Sequence, residues 1–241
     1  MHNKIFCLGL SRTGTTALSH ALENLGIPTL HHSLSAFVNQ HQLDSTLQFS
    51  PKLRYSLFRK WRLRKEMALL QSTSFDDILH QFQAFSDLPF PLFYKVLHKK
   101  FPDAKFIYSY RDENKWLKSM HWLYNDAAVI WKHGAMSDEI KKWAYDTHLF
   151  DRSKLLNAYR AHHKEVVEYF DTSSNFLSLN LDEGDMHYKK LSQFLGLPIV
   201  DKPIERINAP RTPTDTERKI YWRNKNSDFY SFLNLLFKKV K

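Results

Sequence analysis

The segment KIFCLGLSRTGTTAL (residues 4–18) changes character twice along its length. Lys4 to Leu10 is a short apolar run built around Ile5, Phe6 and Cys7, the length of a buried parallel strand. Beyond the run, Ala17, Leu18, Ala21, Leu22 and Leu25 recur at helical spacing, and Gly26 stands where a helix stops. Between strand and helix lie Gly9 and Gly14, separated by four residues. Strand, glycine loop and helix in this order aim free backbone N–H groups and the positive end of a helix dipole at one point, which suits an anion. The Walker A pattern asks for Gly, four residues, Gly, Lys and then Ser or Thr. Gly9, Gly14 and Thr16 meet it, but Thr15 occupies the lysine position. An ordinary strand-to-helix turn is the plain alternative. With only six glycines in 241 residues, two at this spacing favour an anion site over Ser11, Arg12, Thr13, Gly14, Thr15 and Thr16.

The remaining chain keeps alternating apolar runs with helical patterns. Ile27 to His32 reads as a second strand, residues 35–85 as mostly helical, and FSDLPFPLF (85–93) as a turn. A helix follows over 92–101, then the clear strand AKFIYSY (104–110) and a helix carrying Trp116, Met120 and Leu123 on one face. Residues 152–170 read as a helix, NFLSLNL (175–181) as a strand, and MHYKKLSQFLGL as a helix ending at Gly196. Such alternation predicts an α/β protein: three layers of P-loop type, with a central, mainly parallel sheet flanked by helices. Ligands of such sheets bind outside the carboxyl ends of the strands.

Composition sets bounds. The length allows one domain over 1–241 with a full core, and 43% hydrophobic content is that of a globular chain. No apolar run approaches the roughly 20 residues that span a bilayer. IFCLGL is too short for a secretory signal core, so the chain reads as soluble and cytoplasmic. Cys7 is the one cysteine, which excludes an internal disulfide and a cysteine zinc site. The net charge of +10 calls for an anionic partner. Much of it is local: residues 52–65 hold seven basic residues and no acid, and 209–241 form a basic, aromatic tail or lid. Nucleic acid or an anionic membrane surface would suit such segments, but a solvated face or a negatively charged small ligand suits them equally. His98, His133, His162 and His163 are expected to face solvent rather than ligate a metal.

A second anion group stands at KFIYSYRDENKWLKS. Arg111 ends the strand, and Ser119 follows eight residues later inside the next helix. In a parallel sheet that strand end lies on the side of the glycine loop. A forked guanidinium and a hydroxyl there suit a second phosphate. A structural ion pair at Arg111 and a surface serine form the simpler alternative.

Together FCLGLSRTGTTAL, FSDLPF, FIYSYRDENKWLKS and LNLDEGDMHYKKLSQFLGLP resemble, in order over about residues 4–208, the sulfotransferases that use 3′-phosphoadenosine 5′-phosphosulfate (PAPS), nearest their bacterial-type P-loop branch. The resemblance implies that the loop takes the 5′-phosphosulfate and that Arg111 and Ser119 take the 3′-phosphate. It also implies that Arg12, the basic residue two positions before the second glycine, faces the charge that builds as the product PAP leaves. PAPS has no β–γ unit and needs no metal, so Thr15 can replace the lysine. Two positions depart from the family pattern. Many relatives stack Trp on adenine where this chain has Ala17, and the family's base is often a histidine where SDLP places Asp87. Asp87 is therefore a candidate base and His32 its rival. The acceptor is expected to be a small, partly apolar or aromatic molecule, with no nucleic acid and no stable membrane insertion. A P-loop kinase or NTPase, or a non-catalytic anion-binding protein, stands as the alternative.

Overall fold

A computed structural model describes residues 3–31, 79–131 and 138–221. His32, His133, the basic segment 52–65 and the end of the tail lie outside the described residues. Five strands, β1 (Ile5–Cys7), β2 (Thr29–His31), β3 (Ala84–Ser86), β4 (Lys105–Tyr110) and β5 (Phe176–Asn180), form one sheet in the order β2-β3-β1-β4-β5. Every pairing is parallel. Among the described residues the helices that flank the sheet include α1 (Thr15–Asn24), α2 (Tyr94–Lys100), α3 (Glu113–Asn125), α4 (Ala127–Trp131), α5 (Asp138–Tyr145), α6 (Arg152–Phe170) and α7 (Tyr188–Leu195). This is the three-layer α/β architecture that the alternation predicts.

Alternation of side chains across each strand explains the layers. Ile5 and Cys7 of β1 join Ile107 of β4 and Leu179 of β5 against Leu18 and Leu22 of α1 and Leu191 of α7. Phe6, Phe85, Phe106 and Tyr108 point the other way, into a core shared with Trp116 of α3 and Phe170 of α6. There Phe6 stacks on Phe85 at 5.3 Å and on Phe106 at 5.7 Å, while Phe170 lies 4.7 Å from Phe106. With both faces covered, the strands read as continuous apolar runs.

Three expectations are corrected. Residues 84–86 are not helix or turn but β3, a fully buried strand between β2 and β1. Three residues carry no readable period; pairing with β1 and β2 makes them a strand. His162 is not on the surface: it is 4% exposed, and its Nε2 donates to the Leu8 carbonyl at 2.8 Å, so burial is compensated by a hydrogen bond. His163 is half-buried, 3.1 Å from the Tyr108 hydroxyl, and its pKa is held below the usual value by burial. The helix boundaries at 152–170 hold as expected, with Asp151 accepting from the Lys154 N–H at the start.

β1 is the switch point of the sheet, flanked by β3 on one side and β4 on the other. A ligand groove at its carboxyl end follows from that order. The glycine loop leaves β1, Asp87 follows β3, and Arg111 follows β4.

Candidate active site

The two glycines of the loop serve different ends. A Cβ on Gly9 would lie 2.2 Å from Ser109 Oγ and 2.4 Å from Thr13 Oγ1, so the residue permits close approach of β1 and β4. Gly14 has φ +82°, a left-handed turn that starts α1. Among the described residues no side chain caps that helix start. Gly14, Thr15, Thr16 and Ala17 line a cavity of about 380 Å³, so uncapped N–H groups of the first turn border it.

The same cavity gathers Arg12, Arg111 and Ser119. Arg12 donates from Nε to Ser119 Oγ and from Nη2 to the Asn208 carbonyl, each at 2.9 Å, and its guanidinium lies 4.6 Å from the Trp122 ring. The residues expected at opposite ends of the ligand therefore touch. Arg111 is paired with Asp182 at 3.7 Å, with a side chain only 16% exposed. Its Nε is buried and meets no hydrogen-bond partner among the described residues. A half-buried guanidinium whose Nε lacks a partner among the described residues suits an acceptor-rich ligand.

Of the other expected residues, Thr16 lines the cavity, while Ser11, Thr13 and Asp87 stand beside it without lining it. Thr13 turns inward, donating to the Leu10 carbonyl at 2.7 Å and lying 3.2 Å from Ser109 Oγ, so it props the loop. Ser11 is buried, and its hydroxyl lies 3.4 Å from Asp87 Oδ1. Asp87 also accepts from the Leu88 N–H at 2.8 Å. Thr16 Oγ1 lies 3.0 Å from His31 Nε2. Four described non-glycine residues have positive φ, and three of them, Arg12 (72°), Asp87 (71°) and Asn208 (56°), stand at this site. Such backbone stores of order 1–3 kcal/mol per residue and collects at functional sites.

The electrostatics favour an anion. The Arg12 pKa is lowered to about 10, first by burial and then by repulsion from Arg111 and Arg206, with Asp87 opposing. Three guanidiniums thus crowd one half-closed space, and a bound polyanion would relieve them. A more open basic hollow of about 410 Å³ continues outward from Arg111, Ser119 and Arg206 past Lys118 and Arg211.

Residues 203–208 form part of the cavity's wall, bringing Pro203, Ile204, Arg206, Ile207 and Asn208 to it. Trp122 Nε1 donates to the Arg211 carbonyl at 2.6 Å and holds this segment on α3. The sequence reads as a tail only from residue 209, and no local spacing ties Arg206 to a loop at the other end of the chain. No aromatic ring lines the cavity among the described residues. Its apolar wall is Ala17, Leu181, Met186, Ile204 and Ile207.

Fold and cavity define an α/β protein with a cationic groove at the switch point of a parallel sheet. A family model described as the sulfotransferase domain matches residues 4–212, and the chain belongs to that family. Membership of that family supports an enzyme with sulfotransferase activity. The chain is 24% identical over 238 residues to "Ava biosynthesis cluster protein M" of Aspergillus versicolor, covering 91% of this chain and 86% of that protein. A crystal structure of a sulfotransferase from Alicyclobacillus acidocaldarius aligns with a TM-score of 0.49 at 16% identity, over 91% of this chain and 89% of that one. Among the described residues no helix is long and apolar enough to cross a membrane, and no three His, Cys, Asp or Glu side chains gather as a metal site.

Proposed function

We propose that the chain moves a sulfuryl group from PAPS to a hydroxyl or amine of a small acceptor by in-line displacement. The observation that carries this reading is Arg111. Its buried Nε meets no partner among the described residues, and its side chain lines a cavity with Ser119, Arg12 and the start of α1. Those groups fit a ligand with two separated phosphates. The loop and first-turn N–H groups would take the 5′ end, and Arg111 and Ser119, joined by Arg206, the 3′-phosphate. Leu181, Met186, Ile204 and Ile207 offer an aliphatic slot for the base, in place of the aromatic stack that Ala17 does not supply. A volume of about 380 Å³ falls within the roughly 300–1,000 Å³ of ligand pockets.

PAPS supplies an activated sulfuryl group, and the chain's residues do the rest. Arg12 stabilises the negative charge that grows on the leaving side. Asp87, on the β3 side of the loop, accepts the acceptor's proton; His32 is the rival for that role.

Thermal denaturation tests the reading. PAP without metal should raise the melting temperature, since a ligand at about 100 Kd adds about 2.7 kcal/mol. For a chain of this size that is roughly 5–10 °C. Stabilisation by Mg·ATP and not by PAP would move the chain to the kinase class.

A further inference from the structure

Two aromatic residues outside the cavity join its two anion-binding elements. Trp116, near the start of α3, is fully buried, and its indole Nε1 donates to the Ser11 carbonyl of the glycine loop at 2.9 Å. Its ring stacks on Tyr159 of α6, with centroids 4.3 Å apart and planes 23° from parallel. The Tyr159 hydroxyl closes on the backbone of Arg111 from both sides. It accepts from the Arg111 N–H at 3.0 Å and donates to the Arg111 carbonyl at 2.7 Å.

The position of Arg111 makes this clamp consequential. Arg111 lies past the last register pair of β4 with β5, Tyr110 with Asn180, and before the first helical bond of α3, from the Trp116 N–H to the Asp112 carbonyl. Neither sheet nor helix holds its peptide groups; the phenol does. The loop that leaves β1 is held by the same pair of rings through Ser11. Burial pushes the Tyr159 pKa up to about 12, so the phenol keeps its proton, and its donor, at neutral pH. A buried Trp and Tyr usually satisfy their polar atoms on any near backbone group. Here both polar atoms end on the two segments that carry the anion-binding groups.

We propose that the Trp116–Tyr159 stack is a spacer that sets the distance between the glycine loop and Arg111, and thereby selects a nucleotide bearing both a 5′- and a 3′-phosphate. The inference rests on the two-phosphate reading above. Two subsites held at a fixed separation let the second phosphate bind as an intramolecular event, without a second loss of free motion. When the separation varies, the two-phosphate ligand loses that advantage. A ligand with one phosphate, held at the loop, does not. Trp116 and Tyr159 are thus positioning residues acting through Ser11 and Arg111.

Isothermal titration of the full chain with PAP and with AMP tests this, alongside ligand-free melting temperatures. Tyr159→Phe keeps the ring stack and removes only the hydroxyl. It removes both hydrogen bonds to the Arg111 backbone, and should weaken PAP roughly tenfold and leave AMP within about twofold. Trp116→Phe, which frees the Ser11 carbonyl, should lower the PAP-over-AMP ratio in the same direction. In an Arg111→Ala background, Tyr159→Phe should leave the ratio unchanged, because the residue it positions is gone. Lower melting temperatures with an unchanged ratio in both ring variants would mean ordinary core packing and overturn the spacer. A parent chain that binds PAP no more tightly than AMP would sink the two-phosphate reading itself, and the spacer with it.

Discussion

Gly9→Ala should destabilise the chain through one buried methyl group. The new Cβ would meet Ser109 Oγ at 2.2 Å, Thr13 Oγ1 at 2.4 Å and the Ser109 carbonyl oxygen at 2.8 Å. All three lie well inside the roughly 3.5 Å at which non-bonded atoms rest. None can retreat cheaply. Ser109 is fully buried in β4, and its hydroxyl is tied to Thr13, 3.2 Å away. The carbonyl belongs to a central strand, whose pairing with β1 fixes Cys7 opposite Ile107. Relief therefore means prising β1 from β4 or turning a hydroxyl into apolar core. Overpacking costs about 1–3 kcal/mol and a stranded buried hydroxyl about 1–3 more, so roughly 3 kcal/mol is expected in sum. At about 2–4 °C per kcal/mol, the melting temperature of the ligand-free chain should fall by roughly 6–12 °C. Adding Ser109→Ala removes the closest contact and should recover part of the loss, a coupling that a double-mutant cycle by circular dichroism would measure. A Gly9→Ala chain that melts within about 1 °C of the parent, or a second substitution that merely adds to the loss, would show that the strands are not in this close contact.

Arg111→Ala should weaken PAP by roughly 2–4 kcal/mol through lost charge-assisted bonds, and Ser119→Ala by less; calorimetry that finds both equal to the parent would remove them from the site. Asp87→Asn keeps an oxygen for the Leu88 N–H, so fold and PAP affinity should persist while turnover falls roughly 10²–10⁴-fold. If His32→Ala abolishes turnover and Asp87→Asn leaves it intact, the base is His32. Cys7 is fully buried with its pKa pushed up to about 12 by burial, so the native chain should resist alkylation at pH 8 and react on unfolding; rapid native labelling would contradict its place in β1.

What the sequence determined by itself is everything carried by neighbours along the chain. The apolar run ending at Gly9, the helical repeat from Ala17, and the Arg111–Ser119 step across one strand-to-helix junction each lie within about a dozen residues. Hydrophobic period and turn chemistry act over that range. The parallel sheet followed from their alternation, and with it the expectation that loop and Arg111 share one edge.

The tertiary structure decided the contacts between segments far apart in sequence. β3 exists because Ala84 and Phe85 pair with β1 on one side and β2 on the other, and only that pairing sets Asp87 beside Ser11. Arg12 meets Ser119, and Asn208 closes over it, across separations of 107 and 196 residues. His162 reads as a surface residue until the Leu8 carbonyl is seen beneath it. Trp116 reads as core until its indole is found on the glycine loop. Each depends on which buried polar group finds a partner once the layers close. A hydrogen bond between distant residues leaves no period in the chain, so packing alone could select it.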